Sequence, residues 1–155
     1  MTNLRKPPKG IQATFSRMPI YFFKMGLGGL FGERFLLLTH IGRNSGEERY
    51  VALEVVHIDD ENYYIASGFG TKSQWFKNLD HSPQVKFQVK NKRYKTEAKR
   101  LSVEGATEIL HHYAEAHPRA LEQLAKLMGF EYEGSEENIA EMAELLPIFA
   151  LQYQS

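Results

Sequence analysis

Two short segments of this chain bring glycines, hydroxyls and cations together in a pattern suited to holding an anion. The first is Gly42-Arg43-Asn44-Ser45-Gly46, with Arg49 three residues beyond. Two glycines permit a tight turn whose backbone N–H groups converge, and such a nest attracts negative charge. Arg43 and Arg49 add charge-assisted hydrogen bonds to a phosphate or carboxylate, and Ser45 adds a hydroxyl donor. The second segment is Gly68-Phe69-Gly70-Thr71-Lys72-Ser73. Glycines leading into a helix N-terminus leave free N–H groups and the positive end of the helix dipole facing a ligand. Lys72, read in the first helical turn, opposes that dipole preference, and a bound anion would offset the cost. A hairpin turn with a solvated arginine explains the first segment equally well. A plain turn plus cap explains the second. Each segment follows a predicted strand, so together they are placed to grip different parts of one long phosphorylated ligand.

Other chemistries find less support. The chain has no cysteine, which removes disulfides, thiolate nucleophiles and Cys-type zinc sites. His111 and His112 are adjacent on a predicted helix and cannot face one direction. His40, His57 and His81 have no carboxylate at metal-ligand spacing, so no metal is expected. No G-x-S-x-G elbow is present to present a serine nucleophile. Trp75, the single tryptophan, is by residue type more often core than ligand contact. Lysine plus arginine and aspartate plus glutamate both number 19, and that balance argues against nucleic acid as an electrostatic partner.

The elements that must hold these residues follow from the hydrophobic pattern. Met1 to Gly10 is polar, contains Pro7 and Pro8, and reads as part of a loose tail over 1–12. Phe15 to Phe31 is apolar but interrupted by Arg17, Pro19, Lys24 and several glycines, so it is not a spanning helix. It reads as a helix packed on the domain, ending near Gly28-Gly29, with contact to a membrane surface as the alternative. No secretory signal is apparent. Phe35 to His40 suits a buried strand that breaks at the Gly42–Gly46 turn. Arg49 to Ile58 and Tyr63 to Ser67 flank the polar Asp59–Asn62 turn as a hairpin. Thr71 and Gln74 form a capping-box pattern for a helix carrying Trp75, Phe76 and Leu79, stopped by Ser82-Pro83. Val85 to Val89 and part of Tyr94 to Leu101 alternate around an Asn91-Lys92 turn.

The period then changes. Ala106, Ile109, Leu110 and Tyr113 recur at helical spacing. Leu121, Leu124, Ala125 and Met128 continue beyond Pro118 to a stop at Gly129. Ser135, followed by Glu136 and Glu137, reads as another N-cap. Pro147 to Leu151 suits a last strand. At 155 residues the chain fits one domain with a sizeable core. About six strands joined mostly by tight turns imply antiparallel neighbours. The fold class expected is therefore α+β, with an antiparallel barrel-like sheet and flanking helices.

The two glycine-rich segments also carry a resemblance. Leu37-Leu38-Thr39-His40-Ile41-Gly42-Arg43-Asn44-Ser45-Gly46-Glu47-Glu48-Arg49 resembles a family's strand, G-R-x-S-G turn and downstream arginine. Ser67 to Leu79 followed by Pro83 is similar to that family's second signature, S-G-x-G-x-x-S-x-W-x-x-N-L with a proline. The family is the deazaflavin-dependent nitroreductase and quinone reductase family, related to split-barrel flavin-binding proteins. The match runs from about Phe35 to Leu101, with a weaker echo at Leu146 to Leu151.

The resemblance implies a split β-barrel that binds coenzyme F420, a deazaflavin with a phospholactyl-polyglutamate tail. By it, Arg43, Asn44, Ser45, Gly46 and Arg49 fall at the phosphate and acidic tail. Gly68, Phe69, Gly70, Lys72 and Ser73 fall beside the ring system, which Trp75 and Asn78 shape. Many relatives carry lysine where this chain has Asn44, so FMN, with its compact phosphate, is the alternative cofactor. The implied chemistry is hydride transfer to a quinone-like or nitroaromatic acceptor, with the cofactor carrying the difficult step. Tyr132 is a candidate proton donor. The implied protein is a cytoplasmic homodimer acting on a small-molecule acceptor. A third alternative is a non-catalytic module that holds a cofactor or lipid.

Overall fold

The computed structural model describes Gly29 and residues 32–68 and 70–153. The 1–12 tail, the 15–31 apolar segment apart from Gly29, and Phe69 lie outside the described residues.

Seven strands and four helices make up the described chain. The strands are β1 (Phe35–Ile41), β2 (Glu48–Ile58), β3 (Asn62–Ala66), β4 (Gln84–Val89), β5 (Lys92–Glu97), β6 (Lys99–Arg100) and β7 (Ile148–Gln152). The helices are α1 (Gln74–His81), α2 (Val103–Ala116), α3 (Pro118–Met128) and α4 (Glu136–Leu145). All pairings are antiparallel, in the order β5-β4-β1-β2-β3-β7-β6.

The two ends of that order are consecutive in sequence, and this nearly closes the sheet into a barrel. The expected fifth strand, within Tyr94 to Leu101, is in fact two. Its first half pairs with β4, and its second half pairs with β7 on the far side. Buried Ala98 sits at the break and donates its N–H to Pro83 O at 2.8 Å. Leu101 N–H reaches Ile148 O at 2.8 Å beyond it. A small side chain lets the extended segment switch partners without crowding the interior.

β2 turns the other corner. Its register with β3 shifts between Val55 and His57, and a bulge of this kind bends a strand and strengthens its twist. One 11-residue strand thereby serves both halves of the barrel.

Alternation along the strands sorts two cores. Leu36, Leu38, Ile65, Val85, Phe87, Phe149 and Leu151 face inward with Trp75, Phe76 and Leu79 of α1. Val56, Tyr64, Ile148 and Ala150 face outward against α2, α3 and α4, through Leu110, Leu121, Met128 and Met142. The predicted pairing of Trp75 and Leu79 on one helical face is what lets α1 join the barrel interior.

Three local expectations need correction. α1 is capped by Ser73 rather than Thr71: the Ser73 hydroxyl accepts from Phe76 N–H at 3.3 Å, and Gly70–Lys72 forms a separate 3-10 turn. Lys72 therefore precedes the helix, and the dipole argument does not apply to it. The second hairpin turns at Lys90-Asn91, one residue early, with Lys90 in the left-handed region at φ 54°. A two-residue turn between paired Val89 and Lys92 requires such a conformation.

Candidate functional site

The turn after β1 is built around Gly42. Gly46 N–H donates to Gly42 O at 2.8 Å, and Gly42 N–H donates to Glu47 O at 2.8 Å. Gly46 has φ 71°, where a β-carbon would be strained. A β-carbon on Gly42 would stand 2.6 Å from Ser45 Oγ and 3.4 Å from Arg49 Nε. The absent side chain of Gly42 is thus what lets the serine hydroxyl and the arginine fold back over the turn. Ser45 Oγ accepts from Glu47 N–H at 3.2 Å and from Arg49 Nη2 at 3.4 Å. Arg49 also lies 3.7 Å from the exposed carboxylate of Glu47, an ion pair of small energetic weight in water. Asn44 sits exposed in the turn.

Arg43 points the other way, into α1. Its backbone N–H and its Nη1 both donate to Asn78 Oδ1, at 3.1 and 2.9 Å, and its Nη2 donates to Gln74 Oε1 at 2.9 Å. Both acceptors are neutral amides, and no carboxylate among the described residues lies within salt-bridge distance of Arg43. The guanidinium is held in place while its charge stays uncompensated. Asn78, 4 % exposed, completes its own bonding by donating Nδ2 to His40 Nδ1 at 3.0 Å. For this His40 must be an acceptor at Nδ1, which places any single proton on Nε2. Burial, and then the Arg49 charge across the β1–β2 ladder, pull the His40 pKa down to about 4, so the ring is neutral near pH 7.

The second segment is pinned from beneath. Ser67 Oγ donates to Gly70 O at 2.6 Å and lies 2.9 Å from Ser73 Oγ. Gly70 N–H returns to Ser67 O at 2.9 Å, with Gly70 at φ 63°. Buried Ser67 and Ser73 thus set the chain path from β3 into α1.

Of the residues singled out in the sequence, Arg43 and Asn78 meet directly, and Ser45 and Arg49 meet on the far side of the same turn. Ser73 and Gly70 act on backbone geometry. Gly68 is half-buried in the intervening turn, and Lys72 is exposed in the 3-10 turn. Trp75 is 8 % exposed, with its ring 5.8 Å from that of Phe149, so it is a core residue. Tyr132 is half-buried against the outer helical core rather than the barrel interior that holds α1.

His40, Ser67 and Gln74 belong to this constellation and were not singled out. Ser67 and Gln74 stand inside the quoted second signature and His40 inside the first, but the bond from His40 to Asn78, 38 residues away, has no local signal. His57 also has a partner the sequence does not announce: its ring stacks on His112 at 4.8 Å. A groove of about 790 Å³ on the sheet face opposite His40 is lined by Leu37, Thr39, Tyr50, Gln88, Arg93 and Lys95, and contains none of the predicted residues. No group of three metal-ligating side chains is present among the described residues.

Comparison with known proteins gives one family. Residues 22–125 match the family described as F420H(2)-dependent quinone reductase. No curated protein matches the chain. Among solved structures, one described as an F420-H2 dependent reductase (FDR-A) is 22 % identical with TM-score 0.56, covering 77 % of this chain and 95 % of its own. Another, described as a domain-swapped dimer, is 19 % identical with TM-score 0.57, covering 92 % of this chain and 99 % of its own. HutZ, a heme storage protein from Vibrio cholerae, is 15 % identical with TM-score 0.54, covering 79 % and 83 %. At these identities the solved structures establish the split-barrel fold.

Proposed function

The chain belongs to the F420H(2)-dependent quinone reductase family, and from that premise we propose that it transfers a hydride from reduced F420 to a quinone-like or nitroaromatic acceptor. The observation that carries the reading is Arg43: two side-chain amides fix its guanidinium, and no carboxylate among the described residues neutralises it. An anionic group is the partner that geometry suits. On the far side of the same turn, Ser45 and Arg49 converge in the space a Gly42 β-carbon would fill.

In this reading Arg43, Ser45, Gly46 and Arg49 hold the phosphate and acidic tail of the cofactor, with Asn44 at their edge. Gly68, Phe69, Gly70, Lys72 and Ser73 lie beside its ring system. Asn78 holds Arg43 rather than touching the ring, and Trp75 supports the segment from the core. When bound, F420 supplies the hydride. The protein's part is to orient the cofactor and keep its charged end paired. A proton from solvent completes reduction of the acceptor.

FMN on the same fold is the second reading, favoured by exposed Asn44: a turn with two arginines and a neutral amide suits one compact phosphate. We further propose that residues 1–155 form one domain, acting on a small molecule as a cytoplasmic homodimer. Pairing gains support from the domain-swapped dimer described for a structural neighbour. No helix among the described residues is long and apolar enough to cross a membrane.

The test is acceptor-dependent oxidation of reduced F420, followed by the return of its visible absorbance when menadione is added. Enzyme-dependent turnover supports the reductase. Saturable F420 binding without turnover would leave a cofactor-holding module, and protein that purifies yellow with bound FMN would select the second reading.

A further inference from the structure

A histidine holds the inner end of the anion site, and nothing in the proposed chemistry uses it. His40 lies on β1 at 4 % exposure, with Nδ1 3.0 Å from Asn78 Nδ2. An amide side chain can sit either way round, and the two orientations exchange a donor for an acceptor. Asn78 must present Oδ1 to Arg43, because both the Arg43 backbone N–H and its Nη1 can only donate. The opposite orientation would turn an NH₂ toward two donors. The two Arg43 donors and an acceptor on the far side favour the same orientation, and His40 Nδ1 is that acceptor.

We propose that His40 is a positioning residue: its unprotonated Nδ1 locks the Asn78 amide so that Arg43 is presented to an anionic ligand. This rests on the reading of Arg43 as an anion-binding group. The lock is conditional on protonation state. A proton on Nδ1 converts the acceptor to a donor, and the amide then meets donors on both sides in either orientation. The groups that face His40 are Arg49 on β2, directly across the ladder, and Asn78 on α1, with Arg43 behind it. The cation Arg49 opposes protonation and no carboxylate favours it. The lock is therefore closed at neutral pH and opens in acid.

His40→Asn tests this, because an asparagine oxygen can stand where Nδ1 stands but does not titrate. His40→Phe removes the acceptor. Fluorescence titration with F420 should show His40→Phe binding about tenfold more weakly than wild type, as expected for misplacing one charge-assisted contact. His40→Asn should remain within about threefold, the difference expected of a retained acceptor. As pH falls through about 4, wild type should lose more affinity than His40→Asn, since only wild type carries the titrating lock. That difference cancels the ligand's own titration. Parallel loss in both proteins, or full affinity in His40→Phe, would overturn the proposal.

Wild type that binds no F420 would instead overturn the cofactor reading. The lock is then followed by NMR through the Asn78 side-chain amide. It should shift with pH in wild type and not in His40→Asn; an amide indifferent to pH in wild type would overturn the proposal. The same NMR comparison covers a His40→Phe protein that fails to fold.

Discussion

Asn78→Ala removes the buried side chain that, beside exposed Gln74, joins the turn after β1 to α1, and its cost can be worked from the contacts. The Arg43 Nη1 bond at 2.9 Å is charge-assisted, which places it at about 1.5–3 kcal/mol. The Arg43 backbone N–H at 3.1 Å adds roughly 0.5–1.5 kcal/mol. His40 Nδ1 loses its donor and, being buried, costs about 1 kcal/mol or more to leave unpaired. Alanine recovers roughly 0.6 kcal/mol of helix propensity within α1. The net loss is about 2.5–5 kcal/mol, or about 10 °C in Tm for a chain of this length. Urea denaturation followed by far-UV circular dichroism measures it. Lys77→Ala, an exposed change on the same helix, is the control and should stay within about 0.5 kcal/mol. A loss below about 1 kcal/mol for Asn78→Ala would refute Asn78 as the joint between the two segments.

Other expectations follow from the same geometry. His40 has a folded-state pKa near 4 against an ordinary 6.5, so the unfolded chain binds its proton first as pH falls. Stability from this group is fully present above about pH 6.5 and is lost toward pH 4; between pH 7 and 5 the loss should be about 2 kcal/mol. Urea midpoints at the two pH values, compared with His40→Asn, isolate it, and a wild type stabilised by acid would contradict the sign. Gly42→Ala should push the Ser45 hydroxyl out of the turn, since the new β-carbon would lie 2.6 Å from it. The expected result is weaker F420 binding with stability changed by only about 1 kcal/mol; unchanged affinity would remove Ser45 from the site. Tyr132→Phe should leave menadione-dependent turnover unaltered, because Tyr132 packs on the helical core away from α1. A large fall in turnover would restore it as a proton donor.

Much of the barrel was legible because its strands alternate. Val85, Phe87 and Val89 go inward while Lys86 is exposed, and that period stands in the sequence. The helices announced themselves through Ser135, Gly129 and the apolar spacing of α2 and α3. What stayed hidden depends on partners distant in sequence. The division of β5 from β6 is decided by β7, about fifty residues later, and no local feature at Ala98 reveals the switch. The misplaced cap has a similar origin. Thr71 and Gln74 satisfy a capping pattern, but the Gln74 amide is taken by Arg43 and the Ser73 hydroxyl by Ser67, both tertiary contacts. That Arg43, Ser45 and Arg49 meet around one turn was readable from type and spacing. The order of contact, from His40 through Asn78 to Arg43, was not, because hydrogen bonds between side chains on separate elements leave no periodic trace.

The most direct measurement of the central claim is a fluorescence titration of the purified protein with F420, in parallel with FMN and with Arg43→Ala as the paired variant. The account predicts saturable F420 binding that weakens at least tenfold in Arg43→Ala, since a fixed, uncompensated guanidinium contributes about 1.5–3 kcal/mol to an anion. Equal F420 affinity in wild type and Arg43→Ala, or binding of FMN alone, would contradict it.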